Sequence, residues 1–299
     1  MQIKNVIICG LGAVGLTYAS KLKNICNLKI LADKARIAKF VKNPPRLNNK
    51  EVELNFITPE DFEKQDLIII SVKNESLNSA IRDIKNFVGE NTIIMSLLNG
   101  ITSEEEIAEV YGKNKVVHSY FVGHSAVREN NNVTQDGVGK IVFGTPFTEN
   151  KKSVLDLENF FSKNNIDYEI PENILYSMWL KFTLNIFSNQ LSAIMNLTFG
   201  ELKNEKILSI AKELIKEVQK LAKAENIKGY EHLEKESIKL LSLMCDEGKT
   251  SMLQDILAKR KTEVDIFAGE IIKLGKIHKI PTPYNEVIYR IIKKIENEF

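Results

Sequence analysis

The sequence predicts an α/β chain: an N-terminal Rossmann-like doubly wound domain followed by an all-helical C-terminal domain. Three observations carry this prediction. Short apolar runs alternate with segments of helical periodicity through the first half. The first of those runs feeds directly into a glycine-rich turn and a helix. Beyond Pro171 nearly every segment reads as helix, punctuated by Gly200, Gly229, Gly248 and Pro281-Thr282-Pro283. A chain of 299 residues suits two domains, expected at 1–168 and 169–299.

The elements follow in order. Ile3 to Cys9 is a continuous apolar run, as a parallel strand buried on both faces requires. Leu16 to Lys23 is helix-compatible, Leu28 to Ala32 a second strand and Lys34 to Val41 a short helix ending before Asn43-Pro44-Pro45. Glu51 to Ile57 alternates like an edge strand, and Leu67 to Val72 is another buried β-branched run. Leu77, Ala80, Ile81 and Ile84 form a helix stripe within Glu75 to Val88. Thr92 to Leu97 is a strand; Ser103-Glu104-Glu105-Glu106 fits a capping box opening a helix to Tyr111; Val116 to Val122 is a strand again. The glycines and asparagines between Val127 and Phe147 suggest antiparallel hairpins, followed by a helix from Ser153 to Lys163 and a short strand around Tyr168. Strands alternating with helices imply a mostly parallel sheet with right-handed crossovers.

The chemistry begins at the first turn. Gly10-Leu11-Gly12-Ala13-Val14-Gly15 is a full GxGxxG. The first glycine permits the tight turn, the second lets a pyrophosphate approach the backbone, and the third lets helix and strand pack closely. The helix N-terminus then faces the phosphates. Asp33 follows the second strand at about the ~20-residue spacing of a ribose-binding acid. These residues point to a dinucleotide.

Composition narrows the partners. A net charge of +2 and no Lys/Arg run interleaved with aromatics give nucleic acid little support. Cys9, Cys26 and Cys245 are scattered with no CxxC, which suggests a reducing compartment and no thiolate metal site; no metal is expected. The N-terminal segment reads as a strand rather than a signal peptide, and no uninterrupted apolar run approaches ~18 residues. A cytoplasmic enzyme without nucleic-acid or membrane partners is expected, with a homodimer open as its assembly.

The helix expected over Glu172 to Met195 is unusual. At about 100° per residue with Lys181 at zero, Asn185 falls at about 40°, Asn189 at about 80°, Ser192 at about 20°, Asn196 at about 60° and Ser188 at about −20°. The rest of the circumference is largely apolar, the inverse of a surface helix. Asn groups on such a helix need partners, either a buried network between helices or a substrate in a polar cleft with one cation. His118 and His124 could compete as acids but lie in the first domain's strand region.

Taken together the chain resembles the ketopantoate reductase (2-dehydropantoate 2-reductase) family over essentially its whole length. Gly10 to Gly15 matches the nucleotide loop, Val72-Lys73 the strand-end Val-Lys, and Leu98-Asn99-Gly100 the Asn-Gly turn. Trp179-x-Lys181-x3-Asn185-x3-Asn189 matches the substrate helix, and Ser251 with Arg260-x-Thr262-Glu263-x-Asp265 the C-terminal signature. The resemblance implies Lys181 as general acid, Asn185, Asn189 and Ser251 as substrate ligands, and Glu263 closing the site near substrate and cofactor. It also places Lys73, Asn99 and Ala126 beside the cofactor, with Asn99 and Lys181 also reaching substrate. Phe199 departs from a frequent Asn, Gln190 from a frequent Pro, and Asn48-Asn49 from the usual Asn-Gly.

The implied reaction is NADPH-dependent reduction of 2-dehydropantoate to pantoate, in pantothenate and coenzyme A biosynthesis. Hydride delivery to a 2-keto carbon leaves an alkoxide that needs a proton, and a Lys is protonated at neutral pH. Two other readings stand beside it: a reductase of another 2-keto acid (opine-type or hydroxy-acid dehydrogenase) and a non-catalytic NADPH sensor. Asp33 alone would favour NADH. Lys34 and Arg36 beside it make a 2′-phosphate pocket, Arg36 the stronger because its guanidinium offers a rigid donor fork.

Overall fold

The computed structural model describes residues 1–299 except 124, 125, 136 and 138. It divides into two compact units, Met1–Ile174 and Leu175–Phe299. The division falls later than 168/169 because Tyr168–Glu169 pairs with Ile141–Val142, and Ile174 packs against Gly144.

The first unit runs β1 (Asn5–Cys9), α1 (Ala13–Leu22), β2 (Asn27–Leu31), α2 (Lys34–Lys42), β3 (Arg46–Leu47), β4 (Lys50–Glu51), β5 (Phe56–Ile57), β6 (Leu67–Ile70), α3 (Leu77–Asp83), β7 (Ile93–Ser96) and α4 (Ser103–Tyr111). It continues through β8 (Val116–Val122), β9 (Ala126–Glu129), β10 (Asn132–Gln135), β11 (Lys140–Gly144), α5 (Lys151–Lys163) and β12 (Tyr168–Glu169). Eight strands form one sheet in the order β12-β11-β8-β7-β6-β1-β2-β5. The six from β8 to β5 are parallel, and β11 with β12 runs against them. A smaller sheet, β4-β3-β10-β9, contains one hairpin of the expected stretch, β9–β10, and an unexpected one, β3–β4, while β11 joins the large sheet instead.

Alternation along the parallel strands builds two cores. Val6, Ile8, Leu28, Ile30, Leu67 and Ile69 belong to one buried cluster with Leu16 of α1 and Phe161 of α5. Ile7, Cys9, Leu31, Ile68 and Ile70 belong to the other with Leu77 and Ile81 of α3 and Ile107 of α4. Each fully buried aliphatic side chain contributes about 1.5–3 kcal/mol, which is why these strands carry no polar face.

Local details depart from the sequence reading. The segment expected as one strand over Glu51 to Ile57 splits into β4 and β5, which join different sheets. Asn48 and Asn49 form the β3–β4 turn with φ of 49° and 65°, the left-handed geometry that Asn tolerates in a tight hairpin. The Asn48 side chain further ties the turn to the Gln135 backbone. The capping box expected at Ser103 is absent. Thr102 precedes the helix without a side-chain cap bond, while Ser103 Oγ bonds Ser96 Oγ at 2.7 Å and donates to Glu104 Oε2 at 2.9 Å. Burial explains the change: Ser103 and Glu104 are 5% and 3% exposed, so each must find partners inside the protein.

The second unit holds the body of α6 (Ile174–Met195) with α7 (Phe199–Leu202), α8 (Glu205–Ala224), α9 (Leu233–Ser242), α10 (Ser251–Leu257), α11 (Ala268–His278) and α12 (Pro283–Glu296). Trp179 and Phe182 meet edge to face with centroids 5.9 Å apart, and Phe182 also lies against Phe267. Gly200 lies within α7 rather than between helices, its helix opened by a Thr198–Glu201 capping box. Among the described residues no helix is long and apolar enough to cross a membrane.

Candidate active site

In the first unit, β1 is flanked by β2 on one side and β6 on the other, so the strand order reverses beside it. In open α/β sheets ligands bind beyond the carboxyl ends of strands at such a point, and Gly10–Gly15 leaves β1 there. The three glycines are not equivalent. Gly10 has φ of +103°, and a Cβ on it would meet Ser71 backbone atoms at 2.8 Å. A Cβ on Gly15 would lie 2.0 Å from Gly10 O and 2.5 Å from Ser71 Oγ. The chain's own packing therefore demands glycine at 10 and 15, and Ser71 locks the turn by donating to Cys9 O and Gly10 O. At Gly12 the packing makes no such demand. A Cβ there would meet only Ser71 O, at 3.8 Å, and its φ of −70° suits any residue. Bare backbone at a position the fold does not require to be bare fits a dinucleotide diphosphate approaching the N-terminus of α1.

The remaining first-unit candidates follow the neighbouring strands. Lys73 lies just past the end of β6 and is exposed; Asn99 lies just past β7, half-buried, before Gly100 with φ of 96°. Ala126 begins β9 and, with Ala13, Val14, Thr17, Phe121, Gln135 and Gly137, lines a small hollow beside the glycine loop. Asp33 is the N-cap of α2: its Oδ1 accepts from Arg36 N at 2.8 Å, and its Oδ2 lies 3.4 Å from Arg36 Nε. Burial pulls the pKa of His118 down to about 4, which favours a neutral ring at neutral pH and counts against it as the acid. His124 lies outside the described residues.

In the second unit, Lys181, Asn185 and Asn189 follow one another at successive turns of α6. Trp179, Phe182, Leu184, Ile186 and Phe187 around them are buried, whereas Lys181 and Asn185 are half-buried. The rest of the expected polar arc has other work. Ser188 donates to Leu184 O at 2.7 Å; Ser192 donates to Leu197 O at 2.6 Å and accepts from Thr250 Oγ1 at 3.1 Å. Asn196 is an exposed left-handed residue with φ of 56° beyond the helix end. The C-terminal half of the arc is thus mainly packing, and the candidate site narrows to Lys181, Asn185 and Asn189.

Asn189 meets one other predicted residue, Ser251. Its Oδ1 accepts from Ser251 Oγ at 3.2 Å and from Met252 N at 3.3 Å, which fixes α10 against α6. Ser251 is the first residue of α10. Thr250, with extended backbone, is its N-cap and accepts from Leu253 N at 3.2 Å. Glu263 is half-buried at the start of the 3₁₀ turn Val264–Ile266. Its neighbours in the signature hold structure: Arg260 Nε donates to Asp255 at 2.8 Å, Thr262 donates to Glu296, and Asp265 accepts from Tyr289 and Lys293.

Other residues carry no local sequence cue. Gln190 reaches Asn285 and accepts from Ala268 N, while Glu217 takes three hydrogen bonds from Tyr284 and Asn285 at the start of α12. Phe199, which departs from a frequent Asn, opens α7 and packs its ring against Gly248. In the first unit Arg128 reaches from β9 to the glycine loop, its Nη1 donating to Leu11 O at 2.7 Å.

The comparisons agree along the chain. The family described as ketopantoate reductase PanE/ApbA matches residues 6–146, and its C-terminal counterpart matches residues 173–296. A 2-dehydropantoate 2-reductase of Pyrococcus horikoshii is 28% identical over 297 residues, covering 98% of this chain and 97% of its own. A solved ternary structure of D-mandelate dehydrogenase with NADH and anilino(oxo)acetate shares the fold with a TM-score of 0.87 at 23% identity, with 98% of both chains covered. A ketopantoate reductase family structure from Ralstonia eutropha JMP134 gives a TM-score of 0.82 at 22% identity, again over 98% of both. With a glycine loop at the sheet's switch point, a Lys-Asn-Asn helix tied to Ser251 and both parts of the family pattern in register, the chain belongs to the ketopantoate reductase family.

Proposed function

We propose that the protein is a cytoplasmic NADPH-dependent 2-dehydropantoate 2-reductase that forms pantoate for pantothenate and coenzyme A biosynthesis. The observation that carries this reading is Lys181, the one charged residue of α6, one and two turns from Asn185 and Asn189, with Asn189 bonded to Ser251. A dinucleotide held by its diphosphate at the Gly10–Gly15 loop would supply the hydride from its reduced nicotinamide. The Lys181 ammonium protonates the oxygen of the reduced carbonyl, which otherwise would carry a full negative charge in a water-poor site. Asn185 and Asn189 orient the keto acid, Ser251 receives its anionic end at the start of α10, and Glu263 holds the hydroxyl or the ammonium. Lys73, Asn99 and Ala126 would flank the cofactor. Arg36 supports the choice of NADPH: Asp33 spends its carboxylate capping α2 and offsetting part of that cation, which weakens the acid's claim on a ribose hydroxyl.

A second reading, reduction of another 2-keto acid, rests on the departure of Phe199 from the family's frequent Asn. The test follows loss of reduced nicotinamide absorbance with NADPH and NADH against ketopantoate, 2-oxoisovalerate, pyruvate and benzoylformate. The highest kcat/KM for ketopantoate with NADPH supports the proposal. A higher value for another acid transfers it to the second reading. Tight NADPH binding with no turnover of any acid would leave a sensor.

A further inference from the structure

Arg128 falls outside every motif discussed for the reaction, yet it is held against the centre of the glycine loop. Its Nη1 donates to Leu11 O at 2.7 Å and its Nε donates to Asn130 O at 3.0 Å. Both partners are neutral carbonyls, and among the described residues no carboxylate is paired with it. Although the residue is exposed overall, packing of the guanidinium lowers its pKa from the usual value, and it remains a cation. A cation placed on a backbone carbonyl acts on the whole peptide unit. No peptide bond of the described residues is cis, so in the planar trans Leu11–Gly12 peptide the N–H points away from the C=O. Holding Leu11 O toward β9 therefore turns the Gly12 N–H to the opposite side. Withdrawing electron density through the carbonyl also makes that N–H a stronger donor. Gly12 is the position where the fold leaves the backbone bare without needing to.

We infer that Arg128 is a positioning residue for the cofactor's diphosphate: it fixes and polarises the Leu11–Gly12 peptide so that the Gly12 N–H donates to a phosphate oxygen. This rests on reading the Gly10–Gly15 loop as the dinucleotide site. The test is calorimetric titration of wild type, Arg128→Gln and Arg128→Lys with NADPH, ADP-ribose and 2′-AMP, with melting temperatures measured on the same samples. Arg128→Gln is expected to bind NADPH and ADP-ribose roughly tenfold more weakly, the worth of one charge-assisted hydrogen bond. Its affinity for 2′-AMP, which has no diphosphate, should stay at the wild-type value. Arg128→Lys should recover part of the loss, since it keeps a cation near the carbonyl. An unchanged affinity of Arg128→Gln for ADP-ribose overturns the inference. So does an equal loss for ADP-ribose and 2′-AMP with a lowered melting temperature, which would make Arg128 a general support of the fold. A wild type that binds none of the dinucleotides would instead remove the cofactor reading itself.

Discussion

The three loop glycines allow a substitution experiment that separates folding from cofactor binding. Gly12→Ala places a methyl group where the protein offers only Ser71 O at 3.8 Å, on a backbone with φ of −70° and ψ of −167° that alanine adopts freely. Removing a glycine from the unfolded chain stabilises by about 0.4–1 kcal/mol, and alanine is a poorer helix N-cap than glycine by a similar amount. The two nearly cancel, so the melting temperature should move by no more than about 2 °C. Gly15→Ala is different. Its methyl would lie 2.0 Å from Gly10 O and 2.5 Å from Ser71 Oγ, so α1 must withdraw from β1. Overpacking of that kind costs about 1–3 kcal/mol. If the space above Gly12 is where a diphosphate lies, Gly12→Ala loses NADPH affinity by about ten- to a hundredfold, or about 1.4–2.8 kcal/mol, with its fold intact. The assay pairs thermal unfolding of the free proteins with fluorescence titration of NADPH. A Gly12→Ala variant that binds within about twofold of wild type refutes the assignment, and one that melts as early as Gly15→Ala refutes the packing argument.

Four further outcomes are expected. Lys181→Ala should lower kcat by about 10²–10⁴-fold while NADPH still binds; retention of more than about a tenth of wild-type turnover removes Lys181 as the acid. Asn185→Ala and Glu263→Ala should raise KM for the keto acid by the equivalent of about 1–3 kcal/mol, with Glu263→Ala also lowering kcat; steady-state constants equal to wild type in both would return them to a packing role. Arg36→Ala should erode the preference for NADPH over NADH in kcat/KM, and an undiminished preference would move the 2′-phosphate elsewhere. Glu104 predicts a pH effect on stability. Burial raises its pKa from 4.5 to about 7, so the folded chain holds a proton that the unfolded chain has released. Its stabilising contribution is complete below pH 4.5 and is lost as pH rises toward about 7, by about 3 kcal/mol. Glu104→Gln should lack that fall when unfolding is followed at pH 5 and pH 8, and parallel curves for the two proteins would show that Glu104 does not titrate in this window.

The elements with continuous chemistry were legible without coordinates. β1, β6 and β7 read as buried parallel strands because both faces of each must be apolar. The GxGxxG turn read as a phosphate loop because strand, glycine spacing and helix are all local. The Lys-Asn-Asn stripe was visible because helical periodicity alone puts those residues on one face. Spacing could not say which members of that stripe face a substrate. Ser188 bonds within its own helix and Ser192 takes up Leu197 and Thr250, and only the packed neighbours show that Asn189 takes Ser251. The capping box at Ser103 failed for a related reason. A cap is a local preference worth about 1 kcal/mol, and burying Ser103 and Glu104 forced their polar atoms to partners on other strands. The motif already assigned close helix–strand packing to Gly15 and open backbone to Gly12, and what lies above each Cα agrees. Arg128 left no local trace, because the Leu11 carbonyl it grips is brought to it only when β9 lies beside the loop. Local pattern determined the strands, helices and glycine turn; the partners of Asn189 and Arg128 were decided by contacts between residues far apart in the chain, which exist only once each unit is packed.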